Sequence, residues 1–291
     1  MKKEKPYINL DNPKEDLRHL QTNLNSIDGN MIAIALDYKY YLDSNFVDSE
    51  IYNLRDRIVY RLRATDIHFR MVINLLTRLD SELTDIHRTN NSNDMMVLHS
   101  HFFKREIDIS AISDSILFHL ISGFDYVSSL VSFVTGNKKK LKWVGLAKSA
   151  RDSSKKISAD PLGKIIDTLD RDFIGKLYDH RSTVIHLKNE IRPTSLSIDF
   201  MNAIVTTKII ASSEFTKRFH VLKKQGKEND LSLVYVMMWL LGEATKAIIK
   251  IQFGLKDYME RNKVNEQPFM FLKGPNNEIL PPSTSYWTRP F

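Results

Sequence analysis

The sequence predicts an almost all-α protein, a bundle of long amphipathic helices with one small β-hairpin near residues 195–212. Three observations support this prediction. Apolar residues recur at spacings of three and four over long stretches, as they do on the buried face of a helix. Proline and glycine are absent from residues 49–87, so no helix breaker occurs there. Residues 195–212 are instead rich in Ile, Val and Thr, which favour strands.

The N-terminal third should contain two or three helices. Asn12 can cap a helix that begins with Pro13 and an acidic first turn, and this helix should run to about Asn25. Residues 31–42 alternate in part like a strand but continue without a turn signal, and we interpret them as helix. Residues 49–87 form one long helix or two joined end to end.

The polar segment 88–94 is the best internal boundary, because it has loop composition and separates two periodic stretches. We therefore divide the chain into an N-terminal helical region (1–94), a helical bundle (95–262) and an irregular, proline-containing tail (263–291). Aromatic residues in that tail predict that it docks on a surface. The bundle should contain helices over these ranges: 109–134, 143–152, 160–189, 214–224 and 231–262.

Composition narrows the classes of protein. The chain has 291 residues, 42% of them hydrophobic, which is enough for a real core. It has no cysteine, which excludes disulfides and thiolate catalysis and suits a reducing cytoplasm. A net charge of +7 favours a polyanionic partner. No secretory signal is evident, and the apolar stretches 107–135 and 231–255 carry charges, so we expect buried helices and no membrane span.

An arginine interrupts the apolar face of the helix predicted over residues 160–189. The residues of that face are Leu162, Ile166, Leu169, Phe173, Leu177 and Val184. Arg181 falls on the same stripe. Burying an unpaired guanidinium costs several kcal/mol, so Arg181 should bind a carboxylate or line a polar cleft. Asp114 and Asp125 share one face of another helix, about 20° apart, and either is a candidate for that carboxylate.

A histidine follows this arginine after four residues. His186 is a natural proton carrier, because imidazole changes its charge near neutral pH. Five positions correspond to about 140° on an ideal helix, so a single straight helix directs Arg181 and His186 apart. A bent helix end, the length of the arginine side chain or a second subunit must bring the two groups together.

The spacing Arg181-x-x-x-x-His186, late in a helical chain, resembles the motif of the HEPN superfamily, in which four to six residues separate an arginine from a histidine. The resemblance covers roughly residues 105–262. A polar residue, usually asparagine, follows the arginine in the best-known form, and Ser182 stands there in this sequence. Arg63 and His68 satisfy the same spacing, but in a very basic segment. The Arg181 copy is preferred because apolar residues flank its histidine.

The resemblance implies a metal-independent ribonuclease of the toxin, phage-defence or CRISPR-linked kind, with its site assembled across a C2 homodimer and no cofactor or metal. In the mechanism that we expect, His186 acts as general acid or base on RNA and Arg181 stabilises charge on the phosphoryl oxygens, which leaves a 2',3'-cyclic phosphate. Residues of the same helix are supporting candidates: Tyr178, Asp179, His180 and Ser182. Of these, Asp179 or Ser182 can orient the imidazole.

A basic run with an aromatic end follows the 109–134 helix, namely Lys138, Lys139, Lys140, Lys142 and Trp143. It offers phosphate contacts and a stacking surface for RNA bases, or else it is a solvated loop before a helix. Common phosphate-loop, dinucleotide and zincin motifs are absent from the sequence. His99 and His101 lack a nearby cysteine, and we predict no metal site.

A second class of function stays open. A helical interaction protein, built as a HEPN-like scaffold or as an antitoxin-type partner, would keep the bundle and the dimer without cutting RNA. The sequence does not separate these two classes.

Overall fold

The computed structural model describes residues 13–43, 49–89, 95–136, 141–186, 192–225, 231–264 and 272–288, with backbone only for 13–14, 184–186 and 223–225. The helices are α1 Pro13–Tyr41, α2 Glu50–Thr89, α3 Met95–Val134, α4 Trp143–Arg151, α5 Lys156–Ala159, α6 Pro161–Leu169, α7 Gly175–His186, α8 Ser213–Arg218, α9 His220–Gln225 and α10 Leu233–Arg261. The prediction of an all-α fold with one small β-hairpin is confirmed.

The hairpin spans residues 194–209 and so begins one residue before the predicted range of 195–212. Strand β1 (Thr194–Asp199) pairs antiparallel with β2 (Ile204–Ile209). A side chain of α2 holds it in place, because the Asp80 carboxylate accepts hydrogen bonds from the backbone N–H of Thr207 at 2.8 Å and from its hydroxyl at 2.6 Å. A second, two-residue pairing joins β3 (Leu272–Lys273) to β4 (Ile279–Leu280) in the C-terminal segment.

The N-terminal helices are longer than the sequence predicts. A single helix, α1, covers both the stretch to Asn25 and residues 31–41, so the strand alternative for residues 31–42 is excluded. It is continuous because it buries one stripe of large residues, namely Leu20, Leu24, Ile27, Met31 and Ile34. Gly29 does not end it. A Cβ at Gly29 would lie 3.1 Å from the Tyr286 carbonyl oxygen, so glycine allows the C-terminal segment to approach α1.

A π-helical turn divides the helix predicted over residues 160–189. Asp160 caps α6 by accepting from the Leu162 N–H at 2.8 Å. The turn spans Asp170–Ile174, and in it the Gly175 N–H bonds the Asp170 carbonyl, five residues back. A Cβ at Gly175 would lie 2.6 Å from that carbonyl oxygen, so the turn requires glycine. Across this turn the predicted apolar face stays buried, from Leu162 in α6 through Phe173 to Leu177 in α7.

The chain divides into two compact units. The first unit contains the described residues that fall within 64–119 and 178–240, and the second contains the other described residues. The second unit buries the predicted stripe of α6 together with Trp143 and Phe124. The predicted division into 1–94, 95–262 and 263–291 stays a prediction.

One described helix, α3, is long and apolar enough to cross a membrane by length and composition. In its most apolar window 61% of the residues are buried inside the protein, and a core helix passes the same test. This is weak evidence for a membrane span.

Candidate functional site

Arg181 lies on α7 in the first unit and is half-buried. Its guanidinium carbon lies 5.9 Å from the ring centroid of Phe118 on α3, within the range of a cation–π contact. Its Nε atom is buried and has no hydrogen-bond partner among the residues that the structure describes. Within those residues an aromatic ring, and not the predicted carboxylate, therefore holds this cation.

The two aspartates predicted as partners of Arg181 bind other groups. In the first unit, Asp114 accepts a hydrogen bond from the guanidinium of Arg192 at 2.6 Å. In the second unit, Asp125 accepts from the backbone N–H of Trp143 at 3.0 Å. The common helix face of the aspartates was visible in the sequence, whereas the pairing of Asp114 with Arg192 was not. The burial of Arg192, with 3% of the side chain exposed, gave no sequence signal.

The supporting residues of α7 have different environments. His180 is fully buried, and its ring packs perpendicular to that of Phe215 with 4.8 Å between centroids, which is a core contact. Asp179 and Ser182 are exposed and Tyr178 is half-buried. The structure thus leaves Asp179 and Ser182 accessible, while His180 belongs to the core.

A second arginine reaches α7. The Arg218 guanidinium donates to the Thr183 hydroxyl at 2.6 Å, and that hydroxyl donates to the Asp179 carbonyl at 3.0 Å. The sequence analysis missed Arg218, which lies on the short helix α8 in a segment without a motif. A hydroxyl neutralises no charge, so this arginine adds positive potential beside α7.

His186 is the last residue of α7, and its side chain lies outside the described atoms. The expected approach of its imidazole to Arg181 therefore stays a prediction. The same holds for Lys138, Lys139 and Lys140, which lie outside the described residues.

Trp143 does not offer the stacking surface that the basic run suggested. Its ring is fully buried in the second unit, perpendicular to that of Phe124 at 5.8 Å, and its indole N–H donates to the Asp170 carboxylate at 2.7 Å. An indole ring is stable in the core when its N–H finds a hydrogen-bond partner there, as the N–H of Trp143 does. Lys142 is exposed.

Two histidines lie beside the ring that holds Arg181. The His119 ring meets the Phe118 ring edge-on at 5.5 Å, and the His68 ring lies 5.1 Å from that of His119. The Ser115 hydroxyl lies 3.1 Å from His68 Nδ1. We call these four residues of the first unit, together with Arg181, the His68–Arg181 cluster. The sequence analysis missed its histidines because it considered each one alone.

Comparisons with protein-family models, curated proteins and solved structures find no match. The functional assignment therefore depends on the residues themselves. Among the described residues, no group of three or more His, Asp or Glu side chains is arranged to hold a metal ion.

Glu82, a carboxylate further along α2, differs from Arg181 because it is bound by two neighbouring side chains. Glu82 lies 2.6 Å from His101 Nε2 and accepts from the Arg105 guanidinium at 3.0 Å. The His101 hydrogen bond and then the Arg105 guanidinium hold the pKa of Glu82 below its ordinary value. His101, which we also considered as a metal ligand, is thus part of an ion-pair group.

Proposed function

We propose that this protein is a metal-independent endoribonuclease of the HEPN type, acting in the cytoplasm in a toxin or phage-defence setting. One observation carries the proposal: Arg181 is half-buried, and the described residues give it an aromatic ring but no carboxylate. A buried cation without an anion is costly, so such a site favours an external anion. The phosphodiester of RNA supplies that charge in a geometry that matches a guanidinium.

In the proposed reaction, Arg181 neutralises charge that develops on the phosphoryl oxygens, and His186 carries one proton. The ribose 2'-oxygen attacks the adjacent phosphorus, and the bond to the 5'-oxygen breaks. The products are a 2',3'-cyclic phosphate and a 5'-hydroxyl end. The position of Arg218 beside Thr183 supports binding of the RNA backbone near α7.

A homodimer is part of the proposal. Three large apolar side chains of α3 are exposed in the first unit: Met96 by 82%, Phe103 by 62% and Ile107 by 55%. Their spacings of seven and four place them on one helix face, as in the seam of a coiled coil. A second copy of this chain, packed about a twofold axis, would bury that face.

The same stripe favours the second candidate function, a HEPN-like scaffold that dimerises without cutting RNA. The change Ile107→Asp should convert the dimer to a monomer, which light scattering measures. RNA cleavage then separates the candidates. A scaffold dimerises and leaves RNA intact, whereas the nuclease dimerises and cuts.

The decisive experiment incubates purified protein with single-stranded and structured RNA in EDTA. We expect cleavage with 2',3'-cyclic phosphate ends, reduced by about 100-fold or more in Arg181→Ala and His186→Ala. The matched control is Arg78→Ala, which removes an exposed arginine of α2. The nuclease assignment is wrong if no cleavage occurs, or if cleavage survives both substitutions.

A further inference from the structure

RNA transesterification contains two proton transfers, and the Arg181–His186 pattern contains one imidazole. One group must accept the proton of the 2'-hydroxyl, and another must give a proton to the departing 5'-oxygen. On α7 the only other imidazole is that of His180, which is buried against Phe215. The second proton carrier is therefore either the partner subunit's His186, in a site shared across the dimer, or an imidazole from another helix of the same unit.

The antiparallel packing of α2 and α3 provides one. Glu82 on α2 contacts His101 and Arg105 on α3. Because the two helices run in opposite directions, the residue fourteen positions before Glu82 on α2 lies beside residues fourteen positions further along α3. His68 therefore meets Ser115 and His119. The histidine pair is thus fixed by two long helices rather than by a loop, as a preorganised site requires.

The pair is accessible and is linked to the uncompensated cation. His68 and His119 are both half-buried, and Phe118, 45% exposed, contacts both His119 and Arg181. The Ser115 hydroxyl lies 3.1 Å from His68 Nδ1 and can orient that imidazole. The cluster therefore combines two imidazoles, one of them oriented by a hydroxyl, with a guanidinium on a shared aromatic ring.

The neighbouring charges leave Arg181 as the phosphate-binding group. Asp114, one turn before Phe118 on α3, is taken by Arg192. Because that pair is neutral overall, it neither repels a phosphate nor competes for Arg181. Phe118 contacts both Arg181 and His119, so one aromatic ring links the cation that would bind an RNA phosphate to the His119 imidazole.

We propose that His119, backed by His68, supplies the second proton transfer of the ribonuclease. The inference rests on the proposed function in that RNA must be cleaved beside Arg181. Of His119 and His186, one accepts the 2'-hydroxyl proton as the new oxygen–phosphorus bond forms. The other donates its proton to the 5'-oxygen as the old bond breaks. His68 acts as a positioning residue, because its ring packs against that of His119.

The test measures RNA cleavage in EDTA by full-length variants. We expect His119→Gln to cleave about 100-fold more slowly and His68→Gln more slowly by a smaller factor, while His99→Gln, an exposed histidine of the same helix, stays at the wild-type rate. RNA with a bridging sulfur in place of the 5'-oxygen needs no leaving-group proton. It should restore cleavage in one of His119→Gln and His186→Ala and not in the other.

A second measurement separates chemistry from folding. Added imidazole should restore part of the activity of His119→Ala, which no structural defect would allow. In His68→Gln, the pH at which the cleavage rate is half-maximal should shift, as a purely structural change would not cause.

Two results overturn the inference while the nuclease assignment stands: His119→Gln cleaving within about threefold of wild type, or a loss that neither imidazole nor the sulfur substrate changes in any histidine variant. If the wild-type protein does not cleave RNA, the proposed function fails, and this inference fails with it.

Discussion

Two arginines of the first unit have opposite environments. Arg192, just before β1, is buried and bound to the Asp114 carboxylate at 2.6 Å. Arg181, on α7, is only half-buried and lies on the Phe118 ring, with its Nε unbonded within the described residues. The more deeply buried cation is thus neutralised and the more accessible one is not.

The presence or absence of a carboxylate partner distinguishes a structural charge from a functional one. Folding selects a partner for a charge that must be buried, because desolvation costs several kcal/mol. A cation left on an aromatic ring at the surface keeps affinity for an anion from solution. The sequence motif selected Arg181 without information about its environment. Arg192, which is paired with Asp114, serves as the comparison for a structural arginine in the same unit.

The largest expected effect is on catalysis. Arg181→Met should lower RNA cleavage by about 10²- to 10³-fold, because it removes the group that stabilises phosphoryl charge. Its thermal unfolding should change little, since the described residues include no ion pair that this substitution breaks. Arg192→Met should keep RNA cleavage near the wild-type level. Equal losses in both variants would erase the contrast between the two arginines.

A buried carboxylate in the second unit extends the comparison. Asp37 of α1 is almost fully buried and accepts hydrogen bonds from Ser283 and from the Trp287 indole N–H, the latter at 2.9 Å. Burial raises the pKa of Asp37 from 3.8 to about 6. Because the folded protein binds this proton more tightly, its contribution to stability is greatest below pH 4 and is lost as the pH rises through 6.

The change Asp37→Asn tests this. Relative to wild type, the free energy of unfolding of the variant should increase between pH 4 and 7, by at most about 3 kcal/mol. Urea unfolding at several pH values measures this difference. Subtracting the wild-type value removes the contributions of the other carboxylates to the free energy of unfolding. A difference that stays flat with pH would show that Asp37 keeps an ordinary pKa.

The Arg192–Asp114 pair should affect stability moderately. Arg192→Met should lower the free energy of unfolding by about 1–2 kcal/mol, less than for a fully buried pair because Asp114 is half-exposed. Asp114→Asn should cost less than Arg192→Met. Chemical denaturation of both variants checks this, and a stabilised Arg192→Met would show that the pair has no role in folding.

The smallest effect concerns the ring under Arg181. Phe118→Leu keeps the apolar bulk and removes the cation–π contact, which is worth about 0.5–1 kcal/mol at an exposed site. Cleavage should fall by about two- to fivefold. The matched control is Phe200→Leu, an exposed phenylalanine between β1 and β2. A larger loss in the control would deny Phe118 a role in holding Arg181.

The sequence predicted those features of the fold that depend on local residue spacing within one helix or hairpin. Periodicity predicted the helices and the hairpin, because each follows from local spacing and propensity. The π-turn at Asp170 was not predicted, since it depends on a backbone contact at Gly175 that no side-chain pattern encodes.

The site required contacts between distant parts of the chain. The motif selected Arg181, but His68 and His119 are 51 positions apart and meet only through the register of α2 and α3. The same limit applies to Asp114. Its helix face was predicted, whereas its partner, Arg192, is 78 positions away. Trp143 illustrates the converse error, since a tryptophan beside lysines in sequence is buried in the fold.

The most direct measurement follows the arginine Nε–H resonances by NMR in the His186→Ala protein, which should bind RNA without cutting it. Loss of a single peak in Arg181→Lys and in Arg192→Lys assigns the two residues. On titration with single-stranded RNA, we expect the Arg181 resonance to shift and the Arg192 resonance to stay in place. An Arg181 resonance unmoved at saturating RNA, or an equal shift of Arg192, would contradict the claim that Arg181 binds the phosphate.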